Sequence, residues 1–278
     1  MKNRVRLLAV DIDGTLLDST YRLPEENLKA LRRAHAAGIE VVLATGRRHS
    51  FALSIAQQLG FDLWLISSNG AITRSLTGEY FHRDFLPVSA AREICACTTD
   101  FRGHMVITFD TEQKGALVLE HLEVLTGSIR RWLEKNSEYI DFVRPIENAL
   151  TRDPVQTMFC GPIQRMRQLE VVLAGSPVLP SVTVLKTEYE ARDLCILDIL
   201  NRDCSKGHAL RRWAEFRGFV PAEVVAIGDN HNDLEMLNFA GLPFIMGNAC
   251  EQLKQNGWEL APSNDDCGVA AVVEKVLG

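Results

Sequence analysis

The chain has 278 residues, 46% of them hydrophobic, with 30 basic and 36 acidic side chains and a formal charge of −6. That length and hydrophobic content can build one large or two modest domains around buried cores. An acidic chain without a basic block is not made to grip nucleic acid, and no stretch reaches the ~18 uncharged apolar residues of a membrane span.

Val5 to Val10 is an aliphatic run closed by Asp11-x-Asp13-Gly14-Thr15, which predicts a strand buried on both faces of a parallel sheet. Asp11 and Asp13 stand two apart, so in an extended chain both side chains can leave on one side. They do so at the strand's carboxyl end, the edge where open α/β sheets bind ligands. Gly14 permits a sharp backbone departure, and Thr15 brings a hydroxyl to the same point. Paired acids repel unless a cation or a shared proton relieves them, which points to a divalent-metal or phosphoryl site.

Pro24 to Ala37 is predicted as a helix, with Pro24 in its first position, Glu25 and Glu26 at the positive end of the dipole and Gly38 as its stop. Ile39 to Ala44 predicts a second buried strand, ending in Thr45-Gly46-Arg47. Strand, helix, strand is the βαβ unit of a parallel sheet. Arg47, beginning a surface helix where an arginine is commonly solvated, is left open as a member of the site. A helix over 50–59 leads to a third strand, Leu63 to Ile66, ending in Ser67-Ser68-Asn69-Gly70. Three successive strands therefore deliver polar residues to one edge. A hairpin follows, Ala71 to Arg74 and Glu79 to His82 around Gly78.

From about Phe85 to Leu197 the apolar runs mix with charge. Strands are predicted over 105–109, 155–160, 182–185 and 194–197, and helices over 87–97, 162–174 and, less strongly, 129–135. This α+β pattern predicts an inserted domain over 84–199 in a core made of 1–83 and 200–278. The βα pattern returns at Ser205, which can cap a helix running to Phe216. Lys206 in its first turn opposes the helix dipole, a cost that a nearby anion would offset. Val224 to Ile227 predicts a further buried strand, ending Gly228-Asp229-Asn230-His231-Asn232-Asp233 ahead of a helix whose amides could face an anion. Leu242 to Met246 and Gly268 to Leu277 complete the chain as strand and helix.

Asp11-x-Asp13-Gly14-Thr15, Thr45-Gly46-Arg47, Lys206-Gly207 and Gly228-Asp229-Asn230-x-Asn232-Asp233, in this order, resemble the four motifs of the haloacid dehalogenase superfamily. The large insert after the second motif, with Asn69-Gly70 before it, is similar to the Cof-type branch of its hydrolases. So is the closing Asn264-Asp265-Asp266-Cys267-Gly268-Val269. The likeness covers roughly 1–83 and 200–278, while the insert matches in size and position. It implies a doubly wound, Rossmann-like α/β core with an α+β cap. It also implies an Mg²⁺-dependent phosphatase acting on a small phosphorylated metabolite (a sugar phosphate, nucleotide or cofactor phosphate) through an aspartyl-phosphate.

The resemblance assigns roles as well. Asp11 would attack phosphorus. The carboxylates of Asp11 and Asp229 and the backbone carbonyl of Asp13 would hold Mg²⁺, which neutralises the approach of a carboxylate to a dianion. Asp13 would protonate the leaving oxygen and later take a proton from water. Thr45, Gly46, Lys206 and Asn232 would hold the phosphoryl group, with Asp233 and Asn69 supporting them from behind. His49, His82, His208 and His231 read as surface or packing residues.

A sugar phosphomutase shares these motifs and this capped layout, and a non-catalytic metal-dependent binding protein is a third reading. The presence of both Asp11 and Asp13 counts against the last, because binding needs no acid/base group at position 13. Seven scattered cysteines, an odd number, predict reduced structural thiols in a cytoplasmic protein, and no signal peptide is visible. Every polar residue at the sheet edge is addressed to metal or phosphate. Recognition of the rest of a substrate therefore falls to the insert, predicted to act as a cap.

Overall fold

In a computed structural model of the chain, which describes residues 5–121, 131 and 134–278, the aliphatic run before the paired acids is strand β1 (Leu7–Asp11), buried throughout. Helix α1 (Glu25–Ala36) leads to β2 (Glu40–Ala44), and α2 (His49–Ala56) leads to β3 (Trp64–Ser67). The hairpin β4 (Ile72–Ser75) and β5 (Tyr80–Arg83) follows. Next come α3 (Val88–Cys97), β6 (Met105–Thr108), β7 (Leu117–Leu119), β8 (Ile140–Phe142), β9 (Gln156–Gly161), α4 (Ile163–Ala174), β10 (Val182–Tyr189) and β11 (Leu194–Asn201). The chain closes with α5 (Lys206–Arg217), β12 (Val224–Gly228), α6 (Leu234–Phe239), β13 (Leu242–Ile245), α7 (Glu251–Lys254), β14 (Glu259–Leu260) and α8 (Gly268–Leu277).

The described residues divide into two units, one up to Arg83 together with Ser205–Gly278, the other Asp84–Cys204. In the first, the sheet order is β14-β13-β12-β1-β2-β3-β4-β5, parallel from β14 to β3 and antiparallel through the hairpin. Alternation along β1 sends side chains to opposite layers. Leu8 and Val10 pack with Leu31 of α1, Ile55 of α2 and Val272 of α8. Leu7 and Ala9 pack with Leu210 and Trp213 of α5 and Met236 of α6. Each large aliphatic buried this way contributes ~1.5–3 kcal/mol. This is a doubly wound, Rossmann-like α/β core. The chain winds outward from β1 through β2 and β3 and returns to β1's other side at β12, so the switch point lies between β1 and β12.

The second unit holds a sheet in the order β10-β11-β9-β6-β7-β8, antiparallel except for the parallel pair β7 and β8. Ile94 of α3 and Leu169 of α4 cover one face, packing on Ile107, Phe159, Leu197 and Ile199. Strand β11 is continuous to Asn201, which carries this unit past position 199.

Several expectations need correction. Pro24 is the extended residue that precedes α1 and does not occupy its first turn. Strands β10 and β11 each run eight residues, twice the predicted length, because they pair with one another along their whole length. Strands β7, β8 and β14 went unpredicted, being three, three and two residues long, too short to carry a period. The helix expected over 129–135 falls largely outside the described residues. None of the seven cysteines is in a disulfide, and burial pushes the thiols of Cys95, Cys160 and Cys195 up to about 12. They stay protonated and pack as small apolar groups. Among the described residues, no helix is long and apolar enough to cross a membrane.

Candidate active site

Four strand ends build the site. After Asp11 the chain turns at once: the Leu16 N–H reaches the Asp11 carbonyl at 3.2 Å and the Leu17 N–H reaches that of Ile12 at 3.0 Å. Gly14 sits in this turn at φ 82°, and a Cβ there would run into the carboxylate of Asp229. Only glycine satisfies both demands. Thr15 Oγ1 donates to Asp229 Oδ1 at 3.3 Å, tying the end of β1 to the end of β12.

Lys206 opens α5 behind Ser205, whose Oγ accepts the His208 N–H at 3.1 Å and so caps the helix. The Lys206 ammonium is 1% exposed and donates to Asp11 Oδ1 at 2.6 Å and to Asp233 Oδ1 at 2.7 Å. Burial alone would depress its pKa, but the charges of Asp11 and Asp233 outweigh that and raise it. Asp11, Asp229 and Asp233 each place an oxygen within 4.8 Å of the others. Burial, and then the charge of Asp233, push Asp11 up to about 7 against the pull of Lys206. Asp229 is raised well above the ordinary carboxylate range by burial and then by Asp11. With all three carboxylates ionised, the one ammonium would leave two negative charges unmatched in this buried group. A donor set of carboxylate oxygens with that excess charge fits a hard divalent cation.

The first amides after β12 are taken up within the protein. Residues His231–Asp233 form a 3₁₀ turn ahead of the six-residue α6. Asp233 Oδ2 accepts the N–H groups of Asp229 at 3.0 Å and Asn230 at 3.1 Å. The protein's own carboxylate takes these donors, and the same side chain holds Lys206 with its other oxygen.

Thr45, fully buried at the end of β2, accepts the Arg47 N–H on Oγ1 at 3.1 Å and the Asn69 N–H on its carbonyl at 3.0 Å. Ser68 and Asn69 both adopt left-handed backbone, φ 48° and 53°, which bends the end of β3 back onto this loop. Asn69 Oδ1 accepts from Asn232 Nδ2 at 3.0 Å, and Gly46 lies against the same side chain. Thr45, Gly46, Asn69 and Asn232 are thus brought together from three strand ends.

Asp13 is placed elsewhere. Its carboxylate receives Arg47 Nε at 2.7 Å and Nη2 at 2.5 Å, and both side chains are 27% exposed. Arg47 is therefore a paired residue and not a solvated one. Its position in the sequence, at the head of a helix, carried no sign of a partner 34 residues away.

A model of the haloacid dehalogenase-like hydrolases matches residues 8–273. The chain belongs to this family. Phosphatase YwpJ of Bacillus subtilis (strain 168) is 29% identical over 295 aligned positions, covering 98% of this chain and all of its own. The HMP-PP phosphatase of Klebsiella pneumoniae (strain 342) is 32% identical over 252 positions, 90% of this chain and 86% of that one. A crystal structure of a haloacid dehalogenase-like hydrolase from Bacteroides thetaiotaomicron superposes with a TM-score of 0.79 at 25% identity, over 98% of this chain and 100% of that one. The chain is a Cof-type haloacid dehalogenase-like phosphatase, which favours the hydrolase reading over the phosphomutase and the binding protein.

In this hydrolase several supports of the site escaped the sequence reading. Asn248 Nδ2 donates to the Gly14 carbonyl at 2.8 Å, Asn264 Nδ2 to that of Leu17 at 2.9 Å and Asn27 Nδ2 to that of Leu16 at 3.0 Å. These amides satisfy carbonyls that the turn after β1 leaves without strand partners. Asn27 carried a usable signal, a polar residue on the buried face of α1. Ser205 Oγ also bonds Glu235, which ties the start of α5 to α6.

Proposed function

We propose that this phosphatase releases phosphate from a small phosphorylated metabolite, with Asp11 as nucleophile and Mg²⁺ as cofactor. The observation that carries the reading is the buried group at the end of the central strand, where Asp11, Asp229 and Asp233 gather around the one ammonium of Lys206. A phosphate dianion is repelled from such a pocket until a cation is present. The carboxylates of Asp11 and Asp229 and the backbone carbonyl of Asp13 would hold Mg²⁺, which when bound offsets charge on the phosphoryl oxygens.

The remaining chemistry belongs to side chains. An Asp11 oxygen attacks phosphorus as the bond to the leaving oxygen breaks, and Asp13 gives that oxygen a proton. Water then attacks the same phosphorus and passes its proton to Asp13 while the bond between Asp11 and phosphorus breaks. Phosphate leaves and both carboxyl groups are restored. Lys206, held in place by Asp233, faces charge that develops on the phosphoryl oxygens. Thr45 Oγ1 already accepts the Arg47 N–H, which leaves its proton for a phosphoryl oxygen, beside Gly46 and Asn232. Asp233 and Asn69 support these groups from behind.

The test is phosphate release across phosphorylated sugars, nucleotides and cofactors. Turnover should require Mg²⁺, vanish with chelator, and leave label from the phosphoryl group on the Asp11 peptide after acid quench. Full activity in chelator, or label on any other residue, contradicts the site as drawn. The second unit is proposed as the cap that reads the rest of the substrate and excludes water. Replacing it with a short bridge should collapse the kcat/KM ratio between the best and a poor metabolite. If the ratio survives, specificity resides in the core.

A further inference from the structure

Asp11 and Asp13 leave the same strand end two residues apart, yet their hydrogen bonds go to different partners. Asp11 joins Asp229 and Asp233 in the buried triad, while Asp13 is gripped on both oxygens by the Arg47 fork. A two-point grip fixes the plane of a carboxylate as well as its position, which a single ammonium does not do. The arginine is itself anchored. Its N–H is bound by Thr45 Oγ1 at 3.1 Å, and its carbonyl accepts the Ser68 N–H at 2.8 Å. The direction of Asp13 is therefore registered against the loop that carries Thr45.

From this geometry we infer that Arg47 is a positioning residue for the proton transfer at the leaving oxygen, acting through Asp13. The inference rests on the reading of Asp13 as the group that protonates that oxygen. Without the fork, the Asp13 carboxylate can turn about both side-chain torsions. When Asp13 carries its proton, one oxygen gives it to the leaving group while the other still accepts from Arg47; without the arginine, transfer proceeds from a spread of orientations. The loss should depend on how much the leaving group needs a proton. An alkyl alkoxide needs one, and a nitrophenolate largely does not.

The experiment compares p-nitrophenyl phosphate with an alkyl phosphate such as glycerol phosphate in saturating Mg²⁺, for wild type, Arg47→Lys, Arg47→Ala and Asp13→Asn. Arg47→Lys keeps the charge and removes the fork. It should lower kcat on the alkyl ester by about tenfold or more beyond its loss on the aryl ester, with KM little changed. Arg47→Ala should behave likewise, and added guanidinium should restore part of its alkyl activity. Equal losses on the two esters, or a rise in KM at unchanged kcat, would overturn the inference, the second by making Arg47 a direct phosphate ligand. Both residues are part-exposed, so these variants open no core cavity, and thermal melting checks that each is folded. Should Arg47→Ala fail that check, Arg47→Lys alone decides. Asp13→Asn separates the two ideas. If it shows the leaving-group dependence and the arginine variants do not, the role of Asp13 stands and that of Arg47 falls. If Asp13→Asn shows none, the acid assignment itself fails.

Discussion

Lys206 in the core and Arg102 in the inserted unit each hold two carboxylates, but the two groups differ in charge balance. Arg102 donates to Glu120 at 2.8 Å and to Glu147 at 2.7 Å through Nη1, and again to Glu147 through Nη2. Arg144 lies 3.7 Å from Glu120 as a second cation. Two arginines face two glutamates, and the hydrogen bonds of Arg102 hold the Glu147 carboxyl below its usual range. Burial alone would raise Glu120, but the hydrogen bond from Arg102 outweighs it and the net shift is also downward. In the core Lys206 faces three acids, with the Asp13–Arg47 pair beside them, and burial and then the charge of Asp233 push Asp11 up to about 7. A balanced group stabilises the unit that contains it. An unbalanced buried group holds charge in readiness for a cation and an anionic substrate from outside.

The contrast can be broken most severely at Asp11. Asp11→Asn removes the attacking carboxylate and one unmatched charge together. Turnover should fall by at least ~10³-fold, while thermal stability is retained or rises as repulsion eases. Phosphate release and a melting curve measure both sides. Substantial turnover in the purified variant contradicts the assignment, and a large loss of stability contradicts the idea of an overcharged site.

Lys206→Met tests the same group from its other side. It strands three buried carboxylates, so unfolding stability should drop by ~3–5 kcal/mol along with activity. Adding Mg²⁺ should recover part of that stability, because a ligand that binds only the folded state shifts the equilibrium toward it. Unchanged denaturant midpoints for wild type and variant would mean that the ammonium holds nothing together.

The smallest effect belongs to the balanced group. Glu147→Gln should cost ~1–3 kcal/mol within the inserted unit and leave kcat on a small aryl phosphate unchanged. Its pH dependence follows from the lowered carboxyl groups of Glu120 and Glu147, whose ordinary value is 4.5. Below that value the unfolded chain binds protons that the folded one still refuses. The stabilisation is thus complete above 4.5 and is lost as pH falls through the folded values. Protection of the amides in β6 and β9 of the wild type, relative to an unstructured chain at the same pH, should fall as the pH drops below that range, and the variant should show a shallower change. Identical acid profiles for the two proteins would remove the cluster from the stability of this unit.

Much of the core was legible in order of residues. Strands β1, β2, β3 and β12 are buried on both faces, so they read as short aliphatic runs, and their polar endings declared a common edge. The inserted unit was less legible. Its β7 and β8 are three residues long, and β10 shows mixed burial along its length, which blurs the alternation that marks a strand. Asn69 and Asn232 were noted in separate motifs, 163 residues apart, and their hydrogen bond to each other was not foreseen. Asn27 lies inside the predicted helix over 24–37 and was given no role of its own, yet its amide serves a turn 11 residues earlier.

What the sequence determined by itself was the parallel core, the presence of an insert and the four clusters of polar residues at strand ends. Those features depend on the period with which apolar residues recur, and a period is a property of the chain alone. What only the tertiary structure decided was the grouping of charges. Two acids at positions i and i+2 leave one strand end, but the ammonium of Lys206 bonds Asp11 and the fork of Arg47 bonds Asp13. Coulomb attraction falls with distance in space and takes no account of separation along the chain. The partner of a buried charge is therefore settled only when the strands, turns and helix starts that carry both are in place.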